Sequence, residues 1–362
     1  MRYLFILGRN PKLSLEEVRS FIKRTGNLIL EEKLNKNGLL LDLENTLDAG
    51  VVDFLGGTMA IGIVLCDLKD IDKKEIYFGS ENKFNYVIWD FSENTEDISQ
   101  YLKKRFRSEK LKVTEKRLNC FVKAQDESII RKASSNLISE EYFVFDNFFG
   151  RIIQNCNYKE IEKRDMQKPV RRENLSISPR LAKIMINLSE IKENGILLDA
   201  FCGIGVILIE ALTLEIKAIG IDKDNEAIIG AKQNLEWFKF SKEKYKLINN
   251  DSSKINMSPA NVLVSEPDFG KVLRKTPEKK EAEMMIKQFE NLMINVLNNL
   301  KKSVAGKFVF SAPFIKVERK RVGCDFLKIC EKTGLKMEKN FPIQEFREEQ
   351  IVGREIVVLE KS

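Results

Sequence analysis

The stretch with the sharpest chemical pattern is Leu198-Asp199-Ala200-Phe201-Cys202-Gly203-Ile204-Gly205-Val206. An apolar run ends in an acid, two glycines follow, and an apolar helical pattern opens at Val206. Glycine at 203 and 205 lets the backbone approach a ligand with no Cβ in the way, and the helix start behind offers unpaired N–H groups. The next apolar run ends at Asp222, and Asp251 follows within Asn249-Asn250-Asp251-Ser252. Acids at the ends of successive strands stand where parallel sheets bind ligands. Singly, each reads equally as a turn or helix cap, as Asp222 before Lys223-Asp224-Asn225 illustrates. The dinucleotide fingerprint requires a third glycine where this chain has Leu208, which argues against NAD and FAD.

Composition narrows the chemistry. The 362 residues contain no histidine, which removes the imidazole base, the serine–histidine triad and most zinc sites. The six cysteines are scattered without a CxxC pair, as in reduced proteins, and Cys202 reads as a small buried loop residue. No apolar run reaches the roughly 20 residues of a membrane helix, and Arg2 to Leu7 reads as a strand, so a cytoplasmic protein without membrane or metal is expected. Residues 1–160 hold 25 basic and 25 acidic residues, so the net charge of +7 lies wholly beyond them. Within that neutral half, Lys103, Lys104, Arg105, Arg107, Lys110, Lys112, Lys116 and Arg117 face only Glu109 and Glu115. A second cluster comprises Lys163, Arg164, Lys168, Arg171 and Arg172. Such blocks suit a polyphosphate backbone, or else form a solvated helix face.

The elements that must position these residues fall into two patterns. Residues 1–66 read βαββαβ: a strand at 2–7, a helix opened by the capping box Ser14-Leu15-Glu16-Glu17, strands at 27–30 and 38–43, a helix near 47–54 and a strand at 59–65. That order is ferredoxin-like. A second α+β unit follows over 67–160, with strands near 84–91, 121–124 and 142–145 and a helix over 96–107. A polar connection at 161–178 has almost no apolar periodicity. From Pro179 strands and helices alternate through 362, which implies a parallel sheet. The fold class expected is α/β, with a C-terminal Rossmann-like domain behind an α+β front module.

Asp-x-x-x-Gly-x-Gly, as Asp199 to Gly205, resembles the first motif of class I methyltransferases. Two further stretches extend the likeness. The opening Phe5-Ile6-Leu7-Gly8-Arg9-Asn10-Pro11-Lys12-Leu13-Ser14-Leu15-Glu16-Glu17 is one. The junction Arg164-Asp165-Met166-Gln167-Lys168-Pro169, running into Ser178-Pro179-Arg180-Leu181-Ala182-Lys183-Ile184, is the other. Together they resemble the THUMP-containing tRNA guanosine N2-methyltransferases of archaea and eukaryotes and their bacterial relatives. The resemblance implies S-adenosylmethionine as cofactor, with the glycine loop on its amino-acid end, Asp222 on the ribose hydroxyls, Asp251 near the adenine amine, and Phe201, Ser178 and Pro179 beside it. It implies a ferredoxin-like plus THUMP module gripping tRNA, for which Lys103, Lys104, Arg105, Arg107, Arg171 and Arg172 are the candidate contacts, and leaves room for a small activating subunit.

Relatives carry Asp-Pro-Pro-Tyr after the fourth strand, where this chain has Ser265-Glu266-Pro267-Asp268-Phe269-Gly270. In that reading the Glu266 carboxylate and the Pro267 carbonyl accept the two N–H bonds of a purine amine, and Phe269 stacks on the extruded base for about 1–3 kcal/mol. Positioning and electrostatics do the work, without a covalent intermediate. Glu is one methylene longer than Asp, and Asp268 adds a charge where relatives have a second proline. N2-methylguanosine in tRNA is the expected product. Methylation of an amine on another base is the same-class alternative, and an RNA-binding protein retaining the cofactor pocket is the non-enzymatic one.

Overall fold

The computed structural model describes residues 1–92, 95–116, 120–123, 129–132, 138–172 and 177–361. Arg117, Ala124 and Asn174, which fall within the sequence readings above, lie outside these. Contacts divide the chain into two units, residues 1–15 with 26–156, and residues 16–25 with 157–362.

The first unit contains β1 (Arg2–Leu7), β2 (Ile29–Asn35), β3 (Gly38–Leu43), β4 (Thr58–Asp67), β5 (Lys83–Asp90), β6 (Lys112–Glu115), β7 (Cys120–Lys123), β8 (Ile129–Lys132), β9 (Glu140–Phe145) and β10 (Phe148–Asn155). Eight of them form one sheet in the order β2-β3-β1-β4-β10-β9-β5-β6, and β7 pairs with β8. Strands from 1–67 and from 83–155 thus share a single sheet. Its neighbours are antiparallel except β9–β5–β6, which are parallel. The helix α2 (Thr95–Ser108) buries Ile98, Leu102 and Phe106, at the expected spacing of four, against Phe84, Tyr86 and Tyr142.

Two local readings change. The first helix, α1, spans Pro11–Arg24 and starts one turn ahead of the Ser14 box. Asn10 Oδ1 accepts from Leu13 N at 3.2 Å, with Pro11 at the first helical position, so Asn10 supplies the cap. Ser14 and Glu17 are both buried inside the helix. The second helix of the βαββαβ pattern is a four-residue 3-10 turn at Val51–Phe54.

The second unit opens with α3 (Tyr158–Met166), where the sequence read an irregular connection. Asn157 caps it, accepting from Glu160 N at 3.3 Å. There follow α4 (Pro179–Leu188), β11 (Ile196–Asp199), α5 (Val206–Thr213), β12 (Lys217–Asp222), α6 (Asn225–Trp237), β13 (Tyr245–Asn249), β14 (Val262–Ser265), α7 (Lys279–Leu300), β15 (Phe308–Val317), β16 (Lys320–Val322), α8 (Phe326–Thr333), β17 (Leu335–Met337), β18 (Ile343–Glu345) and β19 (Val352–Lys361). The main sheet order is β13-β12-β11-β14-β15-β19-β17, parallel from β13 through β15, with β19 antiparallel to β15. The chain winds outward from β11 to β13 and then returns to β11's other side with β14. Ligands bind at such a reversal, beyond the carboxyl ends of the strands. The helix α7 covers the sheet with Phe289, Met293, Val296, Leu297 and Leu300, all buried at helical spacing.

Candidate active site

The two strands at the reversal end in Asp199 and Ser265, and their side chains meet. Ser265 Oγ donates to Asp199 Oδ1 at 2.6 Å, and the Phe201 amide donates to both, at 3.2 Å to Asp199 Oδ1 and 3.1 Å to Ser265 Oγ. Burial pushes the Asp199 carboxyl up to about 7, against the pull of these two donors, with the Asp222 and Glu266 charges adding to the rise. Asp199 therefore knots the ends of β11 and β14 together.

Past this knot the glycine loop turns back on itself. Gly203 has φ 50° and Gly205 φ 87°, and Gly205 caps α5 in the left-handed region that L side chains avoid. The Gly203 amide donates to Asp222 Oδ2 at 2.8 Å, while Asp222 Oδ1 accepts from Asp224 N at 2.9 Å. Asp222 therefore shapes the loop as well as facing the cavity, and each of its oxygens keeps a lone pair for a ligand hydroxyl. The missing third glycine also finds its explanation here. A Cβ on Gly220 would lie 2.6 Å from Leu208 Cδ1 and 2.9 Å from Cys202 Sγ, so the glycine that permits close helix–strand packing stands on the strand, opposite Leu208. The Cys202 thiol is buried and driven far from ionising by desolvation, in keeping with a packing role.

A cavity of about 890 Å³ opens at this edge. Phe201, Asp222, Asn250 and Asp251 line one part, and Glu266, Pro267, Phe269 and Arg354 another. Asp251 Oδ1 accepts from Ser253 N at 2.9 Å and Ser253 Oγ at 2.7 Å, so its carboxylate closes a turn at the cavity wall. Asp268 Oδ1 accepts from Gly270 N at 2.9 Å, which fixes the turn after the Glu266-Pro267 pair. The Phe269 ring meets Phe289 edge-on, with centroids 5.9 Å apart. Asp199, with Ile177 and Glu266, borders a separate recess of about 50 Å³. Ser178 and Pro179 border neither space. Ser178 Oγ accepts from Leu181 N at 3.2 Å as the cap of α4, and it is the neighbouring Ile177 amide that bonds Glu266.

Sequence reasoning missed Arg354. Its Nε donates to Glu266 Oε1 at 2.5 Å across 88 positions of sequence, and its guanidinium carbon lies 5.9 Å from the Phe269 ring centroid. Burial raises the Glu266 carboxyl while Arg354 opposes the rise. No local signal connects two residues so far apart.

The basic clusters are partly occupied. Arg164 clamps the buried Glu210 through Nε at 2.7 Å and Nη2 at 3.2 Å, and the buried Lys168 donates to Asp165 at 2.9 Å. Arg172 lines the cavity and pairs with Asp224 at 2.8 Å, and Arg171 is exposed, with Nη2 3.4 Å from Met166 Sδ. In the first unit Arg105 donates to the carbonyls of Ile71 at 2.8 Å and Lys74 at 2.7 Å and to Glu109 at 2.8 Å. These bonds tie α2 to the segment around Ile71 and Lys74. Lys103 pairs with Glu115 at 2.9 Å, while Lys104 and Arg107 are exposed with no ion pair among the described residues.

Two family models match the chain. One, described as a DNA methylase, matches residues 15–233, more than half of the sequence, and one described as an RMKL-like methyltransferase domain matches residues 169–306. The chain belongs to the methyltransferases. The tRNA (guanine(10)-N2)-dimethyltransferase of Methanothermobacter thermautotrophicus is 33% identical over 107 residues, 29% of this chain and 31% of that protein. Its namesake in Methanocaldococcus jannaschii is 32% identical over 142 residues, 37% of each chain. These matches span about a third of those relatives' length. The Pyrococcus abyssi protein of the same name is 25% identical over 248 residues, 66% of this chain and 68% of its own. The crystal structure of TrmN from Thermus thermophilus covers both chains fully at a TM-score of 0.52 and 12% identity, which shows a shared fold.

S-adenosylmethionine, the methyl donor of this methyltransferase, fits the residues present. Gly203 and Gly205 carry no Cβ, Asp222 offers lone pairs at the end of β12, and Phe201, Asn250 and Asp251 line the same cavity as Asp222. Among the described residues no group of side chains is arranged to hold a metal ion, and no helix is long and apolar enough to cross a membrane.

Proposed function

We propose that this methyltransferase acts on RNA and forms N2-methylguanosine in tRNA. One observation carries the reading. The wall suited to the cofactor and the Glu266-Pro267-Asp268-Phe269 segment belong to a single cavity at the sheet reversal. When bound, S-adenosylmethionine supplies a methyl group activated by its sulfonium. Glu266 and the Pro267 carbonyl take the two N–H bonds of the acceptor amine, and its nitrogen lone pair is thereby aimed along one direction. Phe269 supplies a face for the extruded base. The names of the relatives support guanine N2 as the acceptor and tRNA as its carrier.

In this reading the first unit grips the RNA. Its cleft of about 640 Å³ is bordered by Lys103, Arg107 and Lys112, with Lys104 exposed on the same helix. Arg171 and Arg172 contribute phosphate contacts near the cavity. The ferredoxin-like portion (1–66), the THUMP portion (67–160), the basic connection (161–178) and the catalytic portion (179–362) are the working divisions. A small activating subunit and a cytoplasmic location belong to the same proposal.

The test is transfer of labelled methyl groups from S-adenosylmethionine to unmodified tRNA, followed by digestion to nucleosides and mass analysis. Labelled N2-methylguanosine is the expected product. Label on another nucleoside moves the substrate. Cofactor binding without label, with the activating subunit supplied, overturns the reading.

A further inference from the structure

The structure assigns Arg354 as the positioning residue for the acceptor end of the cavity, holding the Glu266 carboxylate and the Phe269 ring where the amine and its base arrive. This rests on the role proposed for Glu266 above.

Glutamate has one more rotatable bond than aspartate, so a glutamate at this place needs an anchor to present its oxygens as reliably. The anchor is visible. Arg354 Nε binds Oε1 at 2.5 Å, and the Ile177 amide bonds the same carboxylate. The arginine's own backbone is fixed from both sides, since Arg354 on β19 registers with Pro313 of β15 and with Glu345 of β18. A side chain rooted within a sheet is placed more precisely than one on a loop. Nε alone takes the carboxylate, and the same planar group lies 5.9 Å from the Phe269 centroid, within cation–π range. One guanidinium thus ties together the two side chains proposed to meet the substrate. It also gives the buried carboxylate a counter-charge, without which desolvation would favour its protonated form.

The experiment measures steady-state methyl transfer to tRNA by wild type, Arg354→Met, Arg354→Lys and Glu266→Ala, with folding checked by circular dichroism and cofactor affinity by calorimetry. For Arg354→Met the expectation is a fall in kcat on the order of a hundredfold, with KM for tRNA and cofactor affinity nearly unchanged. Arg354→Lys should recover part of kcat, because it restores the charge without the planar fork. A merely structural role would move KM, cofactor affinity and kcat together, and that pattern overturns the assignment. A kcat close to wild type in folded Arg354→Met, with Glu266→Ala inactive, overturns it while leaving the proposed function standing. Full activity in Glu266→Ala overturns the role of Glu266 and this inference with it. Should the methionine variant fail to fold, the lysine variant decides: a loss confined to kcat supports the assignment, and wild-type kcat overturns it.

Discussion

The Gly203 amide and the Asp222 carboxylate meet at 2.8 Å, so the acid proposed to bind the ribose also holds the loop proposed to bind the amino-acid end of the same ligand. Two regions of the proposed cofactor site are mechanically joined through a single side chain.

Asp222→Ala should therefore weaken S-adenosylmethionine binding by more than one hydrogen bond to the ribose would account for. One hydrogen bond to a charged group contributes about 1.5–3 kcal/mol, a drop of roughly ten- to a hundredfold, and the loss should exceed it. Titration calorimetry measures it, and tRNA affinity should stay near normal. Equal loss of both affinities would indicate general unfolding.

Phe269→Ala should reduce methyl transfer while sparing cofactor affinity, through loss of about 1–3 kcal/mol of base stacking. Phe269→Tyr should retain most activity. Single-turnover rates with saturating cofactor are the measurement, and an alanine variant as fast as wild type would remove the ring from the acceptor site.

Replacing Lys104 and Arg107 by Gln should weaken tRNA binding and flatten its dependence on salt, by about 0.7–0.9 in log–log slope for each phosphate no longer neutralised. Arg105→Gln should act differently, lowering the unfolding midpoint because Arg105 bonds the carbonyls of Ile71 and Lys74. Binding isotherms across a salt series, alongside thermal melts, separate the two effects.

Asp199 gives a signed pH effect. Its carboxyl is raised by burial to about 7, well above the unfolded value, so the folded protein binds the extra proton. Stability from this group is then greatest at low pH and falls as pH rises from about 4 to about 7. Glu355, also pushed up to about 7 by burial, contributes with the same sign. Asp199→Asn should flatten part of this fall in urea unfolding measured across that range. An unchanged slope would show that Asp199 is ionised in the folded protein.

The turn proposed to receive the cofactor was legible because its information is local. At the end of one strand an acid and two positively turned glycines stand within seven residues, and Asp222 ends the very next strand. The Glu266-Pro267-Asp268-Phe269 segment proposed to meet the acceptor stands out in the sequence, but its neighbourhood does not. Arg354 arrives from β19, and the Ile177 amide arrives from the segment before α4. The same distance effect misled the reading of residues 161–178. Their basic residues have no apolar period, yet Arg164 belongs to Glu210, and Val170 N and O are both bonded by the Asn234 side chain at 2.9 and 3.1 Å. Polar partners that far along the chain leave no periodic trace. The capping box at Ser14 failed for a different reason, because Asn10-Pro11 is a competing start signal one turn earlier.

The second unit is written in two separate passages of sequence, 16–25 and 157–362. The buried Glu17 accepts the Asn187 amide at 2.8 Å, 170 positions away, and Lys23 reaches Glu190, which also receives Lys307. A ribosome therefore emits one piece of the methyltransferase unit long before the rest exists to receive it. For anyone trimming the gene, no single cut isolates that unit: a fragment starting at 157 would take Glu17 from the Asn187 amide and Lys23 from Glu190.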